Sequence, residues 1–149
     1  MKQKFLCLVC ILMCLCTVSS YAAPASISSK DYGASGLITV TNPGKNYSTT
    51  YNKTITLSGY ATAHSTVYVY VFDGSSYKPY YQNGVALSVS VGASGIFAIP
   101  VNLSSGTNLF LLRAESGGSY QNTTFEVNVL SSAMFGLIDR LKSLTFGLK

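Results

Sequence analysis

Beyond residue 16 this chain has no cysteine, and it has no tryptophan anywhere. All four cysteines, Cys7, Cys10, Cys14 and Cys16, fall within the first sixteen residues. If that stretch is removed, the rest has no disulfide, no thiol nucleophile and no cysteine metal site. Acids are scarce as well: Asp31, Asp73, Glu115, Glu126 and Asp139 are the full set. They stand apart, without the clustered oxygen ligands of a calcium loop. A carboxylate pair for glycoside hydrolysis would have to come from Asp73, Glu115 and Glu126, and alternation turns Glu126 toward solvent. The one histidine, His64, lies in a turn-like segment at 63–66 and reads as a solvated loop residue. No Gly-x-Ser-x-Gly elbow marks a nucleophile, and no glycine loop is of the phosphate-cradling kind. Lys30, Lys45, Lys53, Lys78, Arg113 and Arg140 are scattered, with no run suited to a nucleic acid. These absences argue against an enzyme, a cofactor or metal site, and a nucleic-acid partner.

What is present begins with a leader. Lys2 and Lys4 precede an apolar run at 5–18, and Ser19, Ser20, Ala22, Ala23 and Ala25 follow it. That is the order of a secretory signal peptide, and the run is short for a membrane span. Cleavage after Ala22 puts Ser20 and Ala22 at the two small positions and keeps Pro24 from directly following the cut. Met13 and Leu15 stand where lipid anchoring at Cys14 or Cys16 would need a small residue. Removing residues 1–22 from the 149 leaves 127, one domain's worth, with eight bases against five acids and a charge of +3. The expected location is secreted or cell-surface.

Residues 23–36 carry Ser, Ala, Gly and one Pro with little apolar content, and read as a flexible leader. From Leu37 onward, short runs of period two alternate with Gly, Asn, Asp and Pro clusters. Strands are expected at 37–41, 53–60, 66–72, 85–91, 96–103, 108–114 and 123–130. Pro100 marks the fifth as an edge strand or a broken one. About seven short antiparallel strands over 37–130 suit an all-β, immunoglobulin-like sandwich, with a small β-barrel as its rival.

The runs ITVTNPGKNYSTTYNKTITLSGYA, STVYVYV and GIFAIPVNLSSGTNLFLLRAE resemble bacterial Ig-like modules of the glucodextranase domain-B type. The likeness rests on the Asn42-Pro43 turn, Leu57-Ser58-Gly59, Gly95-Ile96-Phe97 and the turn from Leu103 through Gly106 to Asn108. It covers roughly residues 37–130, and an insertion at 77–84 departs from the plainest pattern. The resemblance implies a sandwich fold and an accessory or adhesive role, and it carries over no catalytic residue.

Two signals concern binding. In 66–72 the alternation sends Val67, Val69 and Val71 inward and Tyr68, Tyr70 and Phe72 outward. A neighbouring strand would add Leu109, Leu111 and Arg113 to that outer face, with Phe110, Leu112 and Ala114 inside. Tyr68, Tyr70, Phe72, Leu109 and Leu111 then form a patch larger than a monomer normally leaves bare. The insertion with Tyr77, Tyr80 and Tyr81, the C-terminal tail, or another molecule could cover it. In the tail (131–149), Met134, Leu137, Ile138, Leu141, Leu144 and Leu148 make one apolar stripe of a short amphipathic helix. Ser131 or Ser132 can cap it, and Gly136 and Gly147 make it dependent on a surface. The expected function is a secreted, non-enzymatic interaction or structural module at the cell surface or outside the cell. The runner-up is a small carbohydrate-binding module using the tyrosine face. The expected partners are a protein or cell-envelope component, including a second copy, a polysaccharide, and a membrane surface touched through the tail.

Overall fold

The computed structural model describes residues 23–131 together with Gly136, Leu137, Arg140 and Leu141. The expected signal peptide, and Met134, Ile138, Leu144 and Leu148 of the tail stripe, lie outside the described residues. Period-two segments become strands: β1 (Ile38–Asn42), β2 (Tyr47–Thr50), β3 (Thr54–Ala61), β4 (Thr66–Phe72), β5 (Tyr77–Pro79) and β6 (Tyr81–Gln82). They are followed by β7 (Val85–Ala86), β8 (Ser88–Ser90), β9 (Ile96–Asn102), β10 (Gly106–Ser116) and β11 (Ser119–Val129). The expected seven strands are thus subdivided and extended. The 77–84 insertion is itself strand and hairpin, the 85–91 run splits in two, and the polar β2 is an addition.

The strands form a three-stranded sheet, β1-β3-β9, a six-stranded one, β2-β11-β10-β4-β5, with β8 also on β4, and a two-stranded hairpin, β6-β7. Pairings are antiparallel except β2 on β11, which is parallel. The first strand region is therefore shared. β1 pairs with β3 in the small sheet, and the Asn42–Pro43 turn, with a cis peptide, carries the chain across to β2 in the large one. Pro100 sits on β9, an edge of the small sheet, where its missing N–H costs no ladder bond.

One core lies between the sheets. From the small sheet come Ile38, Leu57, Phe97, Ile99 and Val101; from the large one come Val67, Val69, Phe110, Leu112, Ala114, Phe125, Val127 and Val129. Phe110 stacks on Phe125 at 5.7 Å and meets the edge of Tyr80 at 5.9 Å. Tyr80 keeps its hydroxyl satisfied by donating to the Asn102 carbonyl at 3.0 Å. Each fully buried Leu or Val contributes on the order of 1.5–3 kcal/mol over exposure. This is an all-β sandwich.

Two local features hold its turns. A Cβ at Gly59 would run into the Thr39 carbonyl oxygen, so only glycine lets β1 lie this close to β3. Buried Asn108 closes the turn before β10: its Oδ1 accepts from the Ser104 N–H at 2.9 Å, and its Nδ2 donates to the Ser104 carbonyl at 2.8 Å.

Candidate functional site

Residues 23–34 do not behave as a flexible leader; they are a belt across the outer face of the large sheet. At one end Ile27 and Tyr77 of β5 exchange two backbone hydrogen bonds, both 2.9 Å. At the other, Gly33 bridges Gln121 of β11, the Asn122 N–H donates to the Tyr32 carbonyl, and the Ala34 N–H donates to the Tyr120 carbonyl. Between these ends the chain makes a turn, in which the Asp31 N–H donates to the Ser28 carbonyl at 3.1 Å. Side chains add to the hold at both ends. Tyr70 donates its hydroxyl to the Pro24 carbonyl at 3.0 Å, and Asn122 Nδ2 donates to the Asp31 carbonyl at 2.6 Å. The belt takes the outer edge of β5 at Tyr77 and the 120–122 stretch of β11 that β2 leaves open, both of which would otherwise present unpaired N–H and C=O groups.

This changes the reading of the tyrosine patch. The expected alternation is present, with Val67 and Val69 in the main core and Tyr70 on the opposite face. That face is covered, however. Ile27, Tyr70, Tyr77 and Leu111 form a second apolar cluster, against which Tyr68, Phe72 and Leu109 pack half-buried. Tyr70 is 0% exposed and Leu111 1%. Of the expected covers the insertion takes part, through Tyr77, and the leader supplies one that was not expected, so Tyr70 and Leu111 are closed to another molecule. A single isoleucine from the leader, with Tyr77 from the insertion, seals the middle of the face. Phe72 meets Tyr77 at a ring distance of 5.3 Å. From the tail stripe, Leu137 and Leu141 are exposed and in helical conformation.

Burial pushes the Tyr70 hydroxyl up to about 12, with Arg113 opposing and Glu115 and Tyr68 adding. The raised value lies above the ordinary 10.0, so the unfolded chain ionises first. The stability this group contributes is complete below pH 10 and is lost as pH rises through about 12. Spectrophotometric titration should therefore show Tyr70 among the tyrosines that ionise late, with Tyr77 and Tyr120 also raised, and its ionisation accompanied by unfolding. Ionisation of every tyrosine near pH 10 in a folded protein would contradict the burial.

Beyond the belt, at the end of the face nearest the β10–β11 turn, the surface opens into a depression of about 370 Å³. Its walls are Thr66 and Tyr68 of β4, Arg113 and Glu115 of β10, the 116–119 turn, Tyr120, and His64 at the rim. Register explains the assembly. Gly117 and Gly118 both have positive φ, 56° and 82°, as a two-residue type I′ hairpin requires. That turn sets Glu115 opposite Tyr120 and Arg113 opposite Asn122, while β4 brings Tyr68 opposite Arg113. Arg113 donates its Nε–H to the Glu115 carboxylate, and its guanidinium lies 3.8 Å from the Tyr120 ring centroid. Tyr120 donates its hydroxyl to Asp31 Oδ1 at 2.7 Å, and this bond holds the phenol above its ordinary range. His64 takes a left-handed conformation, φ 62°, between β3 and β4.

Of the expected patch, only Tyr68 belongs to this depression. Arg113, Glu115, Tyr120 and His64 were not read as a group. The Gly-Gly turn was the signal that could have joined them, because it fixes which residues of β10 and β11 face each other. Among the described residues no three His, Cys, Asp or Glu side chains are grouped to hold a metal ion. Comparison with protein-family models and with curated proteins finds no match for this chain.

Proposed function

We propose that this is a secreted, non-enzymatic module of immunoglobulin-like architecture that binds a partner at the cell surface or outside the cell. The strand order supports the architecture. A first strand divides between β1 and β2, β3 pairs with β9, and β4, β10 and β11 run side by side. The basic, apolar and small-residue order at the N-terminus supports export. Cleavage after Ala22 would leave the belt whole, because Pro24 already takes part in the fold through Tyr70.

One observation carries the binding role: an open depression, lined by rings and an ion pair, beside a face the chain otherwise seals for itself. Its side chains stand on paired strands, so they are pre-positioned at little ordering cost. The tail is proposed as an auxiliary contact. Leu137 and Leu141 are one helical turn apart and about 60% exposed, which suits an apolar stripe meeting a membrane interface.

The test is capture of native surface material by the 23–149 protein, by its Tyr68→Leu variant, and by a form lacking residues 132–149. Capture should fall with Tyr68→Leu. The tail deletion should lower binding to anionic vesicles and leave the melting temperature within about 2 °C, a shift below 1 kcal/mol. Equal capture by wild type and Tyr68→Leu would place recognition elsewhere. Unchanged vesicle binding would remove the tail from the account.

A further inference from the structure

Resting on that reading, we propose that the depression between β4, β10 and the β10–β11 turn takes a neutral saccharide. Tyr68 supplies the ring, and the Arg113–Glu115 pair supplies the hydrogen bonds.

The chemistry follows from what each group can do. Arg113 only donates, and an ionised Glu115 only accepts. They lie two residues apart on one face of β10, already joined through the Arg113 Nε–H. A sugar ring carries neighbouring hydroxyls, each able to donate and to accept. One can accept from the guanidinium while the next donates to the carboxylate. Ser116 and Ser119 on the turn add hydroxyls that serve either way.

Charge selects the neutral class. Within the lining the Arg113 charge is matched by Glu115, and Asp31, bonded to Tyr120, stands outside it. Neither an anionic nor a cationic ligand finds an unmatched charge there. A polyol needs none and uses both partners.

Stacking falls to Tyr68. Tyr120 is already engaged: Arg113 lies against its ring, and Gly33 backs onto it so closely that a Cβ there would come 2.6 Å from two ring carbons. Tyr68 is half-buried, lines the depression and stands opposite Arg113 in register. An aromatic ring with an apolar body suits the C–H face of a sugar. The volume, about 370 Å³, is at the small end of ligand sites, so a short stretch of a glycan fits and a long chain would run out past the turn.

The test uses an array of immobilised maltohexaose, cellohexaose and chitohexaose, with sialylated and sulfated oligosaccharides as charged comparators. It is probed with the 23–149 protein and with Tyr68→Leu and Glu115→Gln, each checked for wild-type melting. The expected result is binding to at least one neutral hexasaccharide, weakened roughly tenfold or more in both variants. Should Glu115→Gln melt early, Tyr68→Leu carries the test, since leucine keeps the apolar bulk. A blank array, binding confined to the charged glycans, or binding unchanged in a folded Tyr68→Leu would each overturn the proposal. Capture of surface material that survives periodate oxidation of that material, yet is lost in Tyr68→Leu, would keep the binding-module reading and overturn the saccharide.

Discussion

A chain beginning at Ser35, without the belt, should melt on the order of 10 °C below the 23–149 protein and should bind a hydrophobic dye. The truncation removes Ile27, which is buried, and uncovers Tyr70, Leu111 and Tyr77 together. Truncating one buried large aliphatic side chain costs about 2–5 kcal/mol. For a domain of this size each kcal/mol is worth roughly 3–6 °C, between the values for smaller and larger domains. Lost with it are the hydroxyl bonds of Tyr70 and Tyr120 to the belt and the backbone bridges at β5 and β11. The core between the sheets is untouched, so the shortened protein should still fold cooperatively. Its bare apolar face and two unpaired edges should make it self-associate. Ile27→Ala should reproduce part of the loss. A truncated chain that melts within about 2 °C of the parent would show that the belt contributes little.

The second large effect concerns two adjacent residues on β4. Val69→Asp and Tyr70→Asp should both unfold the protein, although their side chains point to opposite faces. Val69 is 1% exposed in the main core and Tyr70 0% in the cluster under the belt. Either substitution puts a carboxylate among apolar groups with no partner, a cost of several kcal/mol against a total stability of about 5–15. Tyr70→Phe is the control. It keeps the ring, loses the bond to Pro24, and should cost about 1 kcal/mol. Far-UV circular dichroism on the three variants reads the result. An open outer face would tolerate Tyr70→Asp as a folded protein, so that outcome would mean the belt does not dock.

These two effects mark how far the fold was legible in the sequence. The valines of β4 alternate strictly, and local period two places them without knowledge of any other strand. The same holds for Leu57, Phe97, Ile99 and Val127. Pro100 announced an edge because its missing N–H is a local fact. The belt gave no such signal. It holds one large aliphatic residue, Ile27, and its hold on the sheet comes from partners some fifty and ninety residues away, Tyr77 and Tyr120–Asn122. Strand β2, Tyr-Ser-Thr-Thr, is polar throughout, and only its parallel pairing with β11 makes it a strand. The depression was half legible. Tyr68 followed from alternation, but Arg113, Glu115 and Tyr120 meet only once the Gly117-Gly118 turn sets the hairpin register. Ending the flanking strands at Ala114 and starting again at Thr123 hid that register.

Residues 23–34 are a docked part of the domain, and the depression is what they leave open. Hydrogen exchange at the Ile27 and Tyr77 amides of the 23–149 protein tests it most directly, because each donates to the other residue's carbonyl. Both should exchange roughly a hundredfold or more slower than an unstructured chain, as amides of the folded sheet do. An Ile27 amide exchanging at the unstructured rate, in a protein whose Val69 amide is protected, would contradict it.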